Sequence, residues 1–329
     1  MAGAQGSALA IAVSNAGGLG SLPGALLTPD ALRDEIAAIV ASTSSPYSVN
    51  FFCHRPAPPD AVREQRWREL LAPYYRELGI EPPSIEPASG REPFNHAAAD
   101  VLEQFKPPVV SFHFGLPSTE LLARLRKWRP TIISSATTVD EALWLEAHGA
   151  DAINAQGREA GGHRGMFLSD DLTTQVGTLA LVPQIVRSVG VPVIAAGGIS
   201  DAAGVAAALT LGASAVQVGT AYLLCPEATT TRVHRDALAS SSARHTALTN
   251  VFTGRPARGI VNRLIAELGP INQAAPVFPS ASAAIMPLRA RAESLGRGDF
   301  SPLWSGQNAT GCRNIPAADL TMELAASLT

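Results

Sequence analysis

The chain has 329 residues, enough for one large domain or two smaller ones, and its composition (46% hydrophobic, 16% charged) argues against a disordered protein. The formal net charge of −3 gives no electrostatic reason to expect nucleic acid or an acidic membrane surface as a partner. The three cysteines, Cys53, Cys225 and Cys312, are far apart and lack metal-ligand spacing, which predicts a reducing, cytoplasmic location and no bound metal.

The longest uncharged run, residues 202–226, is long enough to span a bilayer. It divides into a helix-like and a strand-like half, however, and is better explained as buried core. The first residues also lack the positive charge of a signal peptide. We therefore predict no membrane association.

Short apolar or β-branched runs alternate with helical patterns over the first 225 residues. The pattern predicts seven strands, within residues 18–24, 47–53, 108–115, 131–137, 151–157, 191–198 and 215–220. It predicts helices over 28–42, 60–79, 95–105, 118–129, 138–149, 178–189 and 201–212. Such alternation is typical of parallel strands joined by right-handed crossovers.

The expected fold class is α/β, a (β/α)8 TIM barrel with a helical C-terminal extension. A closed barrel needs eight strands, so the first strand is expected to be missing or truncated, lying upstream of Met1. An open doubly wound sheet is the alternative, and it is weakened because no run matches the dinucleotide-binding fingerprint.

The pattern predicts that the chain is divided into two regions. Residues 1–225 form the barrel, with a helical insertion near 57–105. Beyond 225 the strand signal stops, so 226–329 are predicted to form a helical extension covering the active-site mouth, with helices in 232–241, 261–269, 280–296 and 317–328.

The ends of the predicted strands carry the chemistry, because barrel enzymes place their working residues at the carboxyl ends of strands. These ends hold amides, hydroxyls and glycines rather than carboxylates or thiols: Asn50, His113, Ser134, Ser135, Gln156, Gly197, Gly198, Gln217, Gly219 and Thr220. Such side chains indicate a site that hydrogen-bonds a polar heterocycle, and they argue against metal ligation.

Two of these strand ends are rich in glycine, in the segments AAGGISDAAG (195–204) and QVGTAYLL (217–224). Backbone N–H groups that glycine leaves accessible near a helix N-terminus bind phosphate, and barrels commonly bind it after their last two strands. The alternative is that Gly197 and Gly198 only permit a tight turn. The two segments together favour phosphate.

The segment AQGREAGGHRG (155–165) places His163 directly after Gly161 and Gly162. Histidine is the commonest general acid or base, and flanking glycines permit close approach of the backbone to a ligand. The alternative is a surface-loop histidine without a role. His113 is a second candidate, with a hydrogen-bonded core residue as its alternative.

The chain resembles the bacterial-type class of nitronate monooxygenases, formerly called 2-nitropropane dioxygenases. The resemblance rests on AVSNAGGLGSL, VNFFCHRP, VSFHFG, SSATTVDEA, AQGREAGGHRG, PVIAAGGI, AVQVGT and the tail GDFSPLWSGQNA. It implies non-covalent FMN, with His163 and His113 in the active site. The implied FMN contacts are Met1, Ala2, Gly3, Asn50, Gln156, Gly161, Gly162, Gly197, Gly198, Gln217, Val218, Gly219 and Thr220, where Met1–Gly3 match only part of the family's first flavin-binding segment.

The resemblance implies oxidation of alkyl nitronates, such as propionate 3-nitronate, with O2 to a carbonyl compound and nitrite or nitrate. A neutral nitroalkane must first lose its α-proton, and His163 would then act as the base. The implied partners are a small-molecule nitronate and O2, in a monomer or homodimer. Two alternatives stay open: an FMN-dependent enoyl-ACP reductase using NAD(P)H, which shares the EAGGH loop, and a non-catalytic flavin-binding protein.

Overall fold

A computed structural model describes residues 3–56, 58, 60–82, 92–326 and 328. Its strands are β1 (Gly20–Pro23), β2 (Tyr47–Phe52), β3 (Val109–His113), β4 (Thr131–Ala136), β5 (Ala152–Gln156), β6 (Gly162–His163), β7 (Val193–Ala196), β8 (Ala215–Gln217), β9 (Thr246–Thr249) and β10 (Ala257–Ile260). Seven of them form a curled parallel sheet in the order β1-β2-β3-β4-β5-β7-β8. The predicted barrel-type α/β fold is confirmed, and β1 and β8 are the edges of this sheet within the described residues.

The helices separate the strands as the alternation predicted. They are α1 (Ser7–Asn15), α2 (Pro29–Ser42), α3 (Ala61–Leu78), α4 (His96–Phe105), α5 (Thr119–Leu125), α6 (Val139–Ala147), α7 (Thr178–Ser188), α8 (Ala202–Thr210), α9 (Arg232–Ala239), α10 (Arg263–Leu268), α11 (Ala281–Ser294) and α12 (Ala317–Ala325). Local signals set their ends. Thr28 Oγ1 accepts the Ala31 N–H before α2, and Gly79 ends α3 in the left-handed conformation at φ 62°.

Alternate strand residues divide the sheet into two different faces. The side chains that face the helices are apolar and fully buried, among them Leu22, Val49, Val110, Ile132 and Ile153. The opposite face is polar: Ser48 and Asn50 both hydrogen-bond Ser111 Oγ, at 3.1 and 3.0 Å, and Asn154 donates to Gln217 Oε1 at 3.1 Å. The concave side of the sheet is therefore lined by hydrogen-bonding groups, whereas barrel interiors are commonly filled by branched apolar side chains.

The region after residue 225 differs from the expected all-helical extension. Its four predicted helices are confirmed as α9–α12, but β9 and β10 form an antiparallel sheet with β6, in which Ala257 pairs with His163. Strands β9 and β10 have only four residues each, and the buried charged side chain of Arg258 lies at the centre of β10. Neither strand has the alternating apolar sequence that would predict it. Both are extended because they pair with neighbouring strands.

The predicted helical insertion near 57–105 contains α3 and α4, and residues 83–91 within it lie outside the described ranges. Helix α3 packs against α11 rather than on the parallel sheet, burying Trp67, Leu71 and Tyr75 with Ile285 and Leu288 in one cluster. Helix α3 and the C-terminal region thus share a second core, whereas α4 packs against α2 and α5 in the core of the parallel sheet. The boundary at residue 225 stays a prediction.

The residues that the structure describes also bear on membrane spans, metal sites and cysteines. None of the helices there combines the length and apolarity that a membrane crossing needs. No group of three or more His, Cys, Asp or Glu side chains in the same ranges is placed to hold a metal ion. The three cysteines are free thiols.

Candidate active site

A cleft lies at the carboxyl ends of β5, β7 and β8, and its empty space together with the adjoining open solvent is about 520 Å³. Seven of the residues predicted to contact a cofactor line it: Gln156, Gly161, Gly197, Gly198, Gln217, Gly219 and Thr220. Gly306 and Asn308, from the segment that precedes α12, line its other side. Six of the ten strand-end residues singled out from the sequence are therefore brought together in one cleft, whereas Asn50, His113, Ser134 and Ser135 do not line it.

The glycine pair after β7 adopts a backbone that other residues rarely adopt. Gly197 has φ 122° and Gly198 has φ 74°. The chain then enters α8, where Asp201 Oδ1 accepts the Gly204 N–H at 2.8 Å. Both the phosphate-binding interpretation and the tight-turn alternative require this left-handed backbone, so the turn alone does not separate them.

The other predicted cofactor residues lie apart from the cleft lining. Asn50 belongs to the polar concave face, and Gly162 lies in β6 with φ 76°. Val218 packs beside the cluster formed by α1 and α12 and does not line the cleft. Gly3 is described with φ 81°, whereas Met1 and Ala2 lie outside the described residues.

Asn154 was not singled out from the sequence, although it lies two residues before Gln156 and therefore on the same face of β5. Its Nδ2 donates to Gln217 Oε1, and its buried Oδ1 has no hydrogen-bond partner among the described residues. An unpaired buried acceptor costs free energy unless a ligand donates to it. The concave face thus offers an acceptor beside the cleft.

The loop that carries His163 is held at its backbone. The His163 carbonyl oxygen accepts hydrogen bonds from Gln156 Nε2 at 2.9 Å and from His113 Nε2 at 3.1 Å. Gln156 Oε1 in turn accepts the Gly165 N–H at 2.8 Å. Gln156 therefore joins the cleft to the histidine loop, a positioning task that its strand-end location did not reveal.

His113 is neutral at neutral pH, because burial lowers its pKa to about 4. Its Nε2 must carry the hydrogen, since a carbonyl oxygen can only accept. His113 therefore supports the His163 loop as a hydrogen-bond donor. The predicted location of His113 near the substrate stays a prediction.

Aromatic side chains surround the His163 ring. The ring centroids of Phe278, Trp304, Phe114 and Phe52 lie 5.4, 5.5, 6.1 and 6.3 Å from it. Phe114 has φ 71°, a conformation that non-glycine residues rarely adopt and that clusters at functional sites. These side chains come from β2, from the residue after β3 and from the C-terminal region, so no local sequence pattern could have grouped them.

The hydroxyl of Thr253, in the turn between β9 and β10, lies 2.9 Å from His163 Nε2. This contact restricts rotation of the imidazole about its χ angles. Thr253 is 90 residues from His163 in the chain, and no pattern in the sequence marks it as a site residue.

Arg164, the residue after His163, is a buried cation. The side chain is fully buried and donates to the carbonyl oxygens of Gln156 at 2.7 Å and Gly157 at 2.6 Å, and to Gln175 Oε1 at 2.9 Å. Burial lowers its pKa to about 10, so the guanidinium stays charged at neutral pH. It therefore holds the end of β5 in place.

The segment that precedes α12 contacts the residues that follow β5, β7 and β8. Asn308 Nδ2 donates to the Gly198 carbonyl at 3.0 Å, and the Gly306 N–H donates to Thr220 Oγ1 at 2.9 Å. A Cβ added at Gly161 would lie 2.5 Å from the Gly306 nitrogen. Close approach of these backbones therefore requires glycine at residue 161.

A curled parallel sheet with a polar concave face, a glycine-lined cleft at its carboxyl edge and a braced histidine loop define the class: an α/β barrel-type enzyme with its site at the strand ends. A family model described as nitronate monooxygenase matches residues 1–327. The chain therefore belongs to the nitronate monooxygenase family, whose members are in general flavin-dependent oxidoreductases.

Individual relatives agree with the family model. The chain is 43% identical to a nitronate monooxygenase of Paraburkholderia phytofirmans, covering 98% of this chain and 89% of that protein. It is 41% identical to a nitronate monooxygenase of Pseudomonas aeruginosa, covering 100% and 94%.

Two solved structures are also similar. A nitroalkane oxidase from Streptomyces ansochromogenes superimposes with a TM-score of 0.91 at 39% identity, covering 100% of this chain and 93% of that one. FabK from Thermotoga maritima is more distant, with a TM-score of 0.74 at 28% identity and coverage of 99% and 90%.

Proposed function

We propose that this protein binds FMN non-covalently in the cleft and oxidises alkyl nitronates, such as propionate 3-nitronate, with O2 to a carbonyl compound and nitrite or nitrate. The observation that carries the proposal is the connection made by Gln156. Its side chain lines the glycine cleft and also hydrogen-bonds the His163 and Gly165 backbone. A cofactor in the cleft would therefore lie against the histidine loop.

The residues present fit FMN. Gly197, Gly198 and Thr220 supply backbone N–H groups and a hydroxyl suited to a phosphate. The unpaired Oδ1 of Asn154 and the Gln217 amide suit the hydrogen-bonding edge of a flavin ring. When bound, FMN supplies the redox chemistry, and the protein positions and tunes it.

His163 would act on the proton of the substrate. A neutral nitroalkane must lose the proton on its α-carbon, and a ring nitrogen of His163 accepts it, while a nitronate arrives without that proton. The surrounding Phe114, Phe278 and Trp304 rings partly cover the imidazole, and Thr253 restricts its orientation. This division of roles makes the base essential for one substrate form only.

The visible spectrum of the purified protein tests the proposal. We expect flavin absorption bands that bleach when a nitronate is added without air, and O2 consumption with nitronate in the absence of pyridine nucleotide. A colourless protein that cannot take up FMN would contradict the proposal. NAD(P)H consumption with an enoyl thioester would instead support the enoyl-ACP reductase alternative, and bound flavin without turnover the non-catalytic one.

A matched pair of glycine variants tests whether FMN occupies the cleft. Gly161→Ala is expected to destabilise the FMN-free protein by about 1–3 kcal/mol, because its Cβ meets the backbone of Ser305 and Gly306. A Cβ at Gly219 meets no protein atom within 4 Å, so Gly219→Ala should leave that stability unchanged. It should nevertheless weaken FMN binding, because its Cβ points into open space beside the cleft.

Thermal unfolding without FMN and fluorescence titration with FMN measure the two effects. Unchanged FMN affinity in Gly219→Ala would place the cofactor elsewhere.

A further inference from the structure

A short segment, residues 306–312, contacts all three strand ends that form the cleft, and we call it the strap. Its first three residues each donate one hydrogen bond, and each bond reaches a different loop. Gly306 bonds the loop after β8, and Asn308 bonds the loop after β7. Between them, the Gln307 N–H donates to the Glu159 carbonyl oxygen after β5 at 2.9 Å. The strap therefore connects three loops that are distant from one another in the chain.

The cleft has two unlike walls. Its interior, without the adjoining solvent, measures about 80 Å³, whereas pockets for drug-sized ligands measure roughly 300–1,000 Å³. A flavin nucleotide therefore enters only if a wall moves. The strand-end wall is fixed by the parallel pairing of β5, β7 and β8. The other wall contains Gly306 and Asn308 of the strap.

Hydrogen bonds rather than buried apolar side chains hold the strap. Its sequence, GQNATGC, has no large apolar residue, and its two small apolar side chains are only partly buried. The chain on each side is anchored, because Ser305 before the strap and Ala317 in α12 are fully buried. A segment with few buried apolar contacts opens at a lower free energy than the core. The strap can therefore leave the loops while the sheet and α12 stay folded.

Asn308 uses both ends of its side-chain amide. Its Nδ2 donates to the Gly198 carbonyl oxygen, in the glycine turn after β7. Its Oδ1 accepts the N–H of Thr310 at 3.2 Å and the hydroxyl of Thr310 at 2.6 Å, which folds the strap into a local turn. This one side chain therefore both shapes the strap and attaches it to the cleft.

We propose that the strap closes over FMN, that it must open for FMN to enter or leave, and that Asn308 holds it closed. The inference rests on the proposed function and deepens it. A ligand in the cleft would touch the strand ends on one side and the strap on the other. Release then has to wait until the hydrogen bonds of the strap break, so a closed strap lengthens the residence of FMN.

The rates of FMN binding and release test this role of the strap. Flavin fluorescence after rapid mixing follows binding, and an excess of apoflavodoxin traps the FMN that is released. In Asn308→Ala we expect release to accelerate about 5–50-fold, because each neutral hydrogen bond that is lost contributes roughly two- to tenfold. Binding should accelerate as well, by about two- to tenfold, because opening precedes entry.

Two further variants calibrate the result. Thr310→Val removes only the hydroxyl that donates to Asn308 Oδ1, and should accelerate both rates by a smaller factor. Gln307→Ala is the matched control, since the Gln307 side chain is exposed and its backbone N–H makes the bond to the loop. Its two rates should match those of the unaltered protein.

Hydrogen exchange in the FMN-free protein gives a readout that needs no cofactor. The Gly306 and Gln307 amides should exchange at least about fivefold faster in Asn308→Ala, while the amides of β4 keep their protection. Unchanged exchange at these two amides would overturn the role of Asn308.

The two FMN rates separate an opening strap from general damage, because loosened folding does not speed association. Faster release with unchanged or slower binding would make Asn308 an ordinary contact and overturn the inference. Unchanged FMN rates together with normal nitronate oxidation would also overturn it, while leaving the proposed function intact. Faster binding and release of FMN without any nitronate oxidation would support the strap and contradict the proposed function.

Discussion

Replacing His163 with asparagine is expected to lower kcat/KM for a neutral nitroalkane such as nitroethane by about 10²–10⁴-fold, the usual contribution of a general base. Asparagine keeps a hydrogen-bonding side chain near Thr253 Oγ1 but cannot accept the α-proton. The same variant should lose less than about tenfold on ethyl nitronate, because that substrate carries no proton to remove.

Steady-state O2 consumption on the two substrate forms measures this difference, with the flavin spectrum confirming that FMN is retained. His148→Asn provides the matched control, since His148 is exposed at the end of α6 and stacks on Trp144. Equal loss on nitroalkane and nitronate, with FMN still bound, would refute the division of roles and leave His163 as a structural residue.

Replacing Arg164 with methionine is expected to lower the free energy of unfolding by about 3–5 kcal/mol. Methionine approximates the buried volume but leaves the carbonyl oxygens of Gln156 and Gly157 and the Gln175 amide oxygen without their donor. Each is a buried acceptor that water cannot reach, so the cost is large for a single substitution.

Urea unfolding of the FMN-free protein measures this loss, with Arg33→Met as the exposed control. Because Arg164 holds the end of β5, FMN affinity should fall in the same variant. Unchanged stability would mean that other groups satisfy these oxygens when the guanidinium is removed.

Local patterns determined most of the secondary structure. The alternation of apolar runs and helical patterns located all seven parallel strands, since strands covered by helices must be apolar whichever strand lies beside them. Thr28 before Pro29 and Gly79 after α3 placed helix ends through contacts within one turn. These elements depend on neighbours close in the chain, so the sequence alone sufficed.

Partners distant in the chain decided what the patterns missed. Strand β10 is extended because it pairs with β6 and β9, and its buried Arg258 hides it from any apolar pattern. Phe278 and Trp304 surround His163 only because the C-terminal region folds back over the strand ends. The hydrogen bonds from Gln156 to the backbone of His163 and Gly165 likewise became evident only from the position of that loop in the structure.

The sequence by itself determined the class of fold, the strand ends where chemistry is expected, and the glycines that let the backbone turn there, because each follows from periodicity or from the φ angles a residue tolerates. Only the tertiary structure decided which of those residues share one cleft, and that His113 donates to the His163 loop. It also showed that residues 306–312 connect the three strand ends that form that cleft. Burial, tautomer and charge pairing depend on neighbours that are distant in the chain, 50 residues for His113 and His163 and 90 for His163 and Thr253, and no local pattern encodes them.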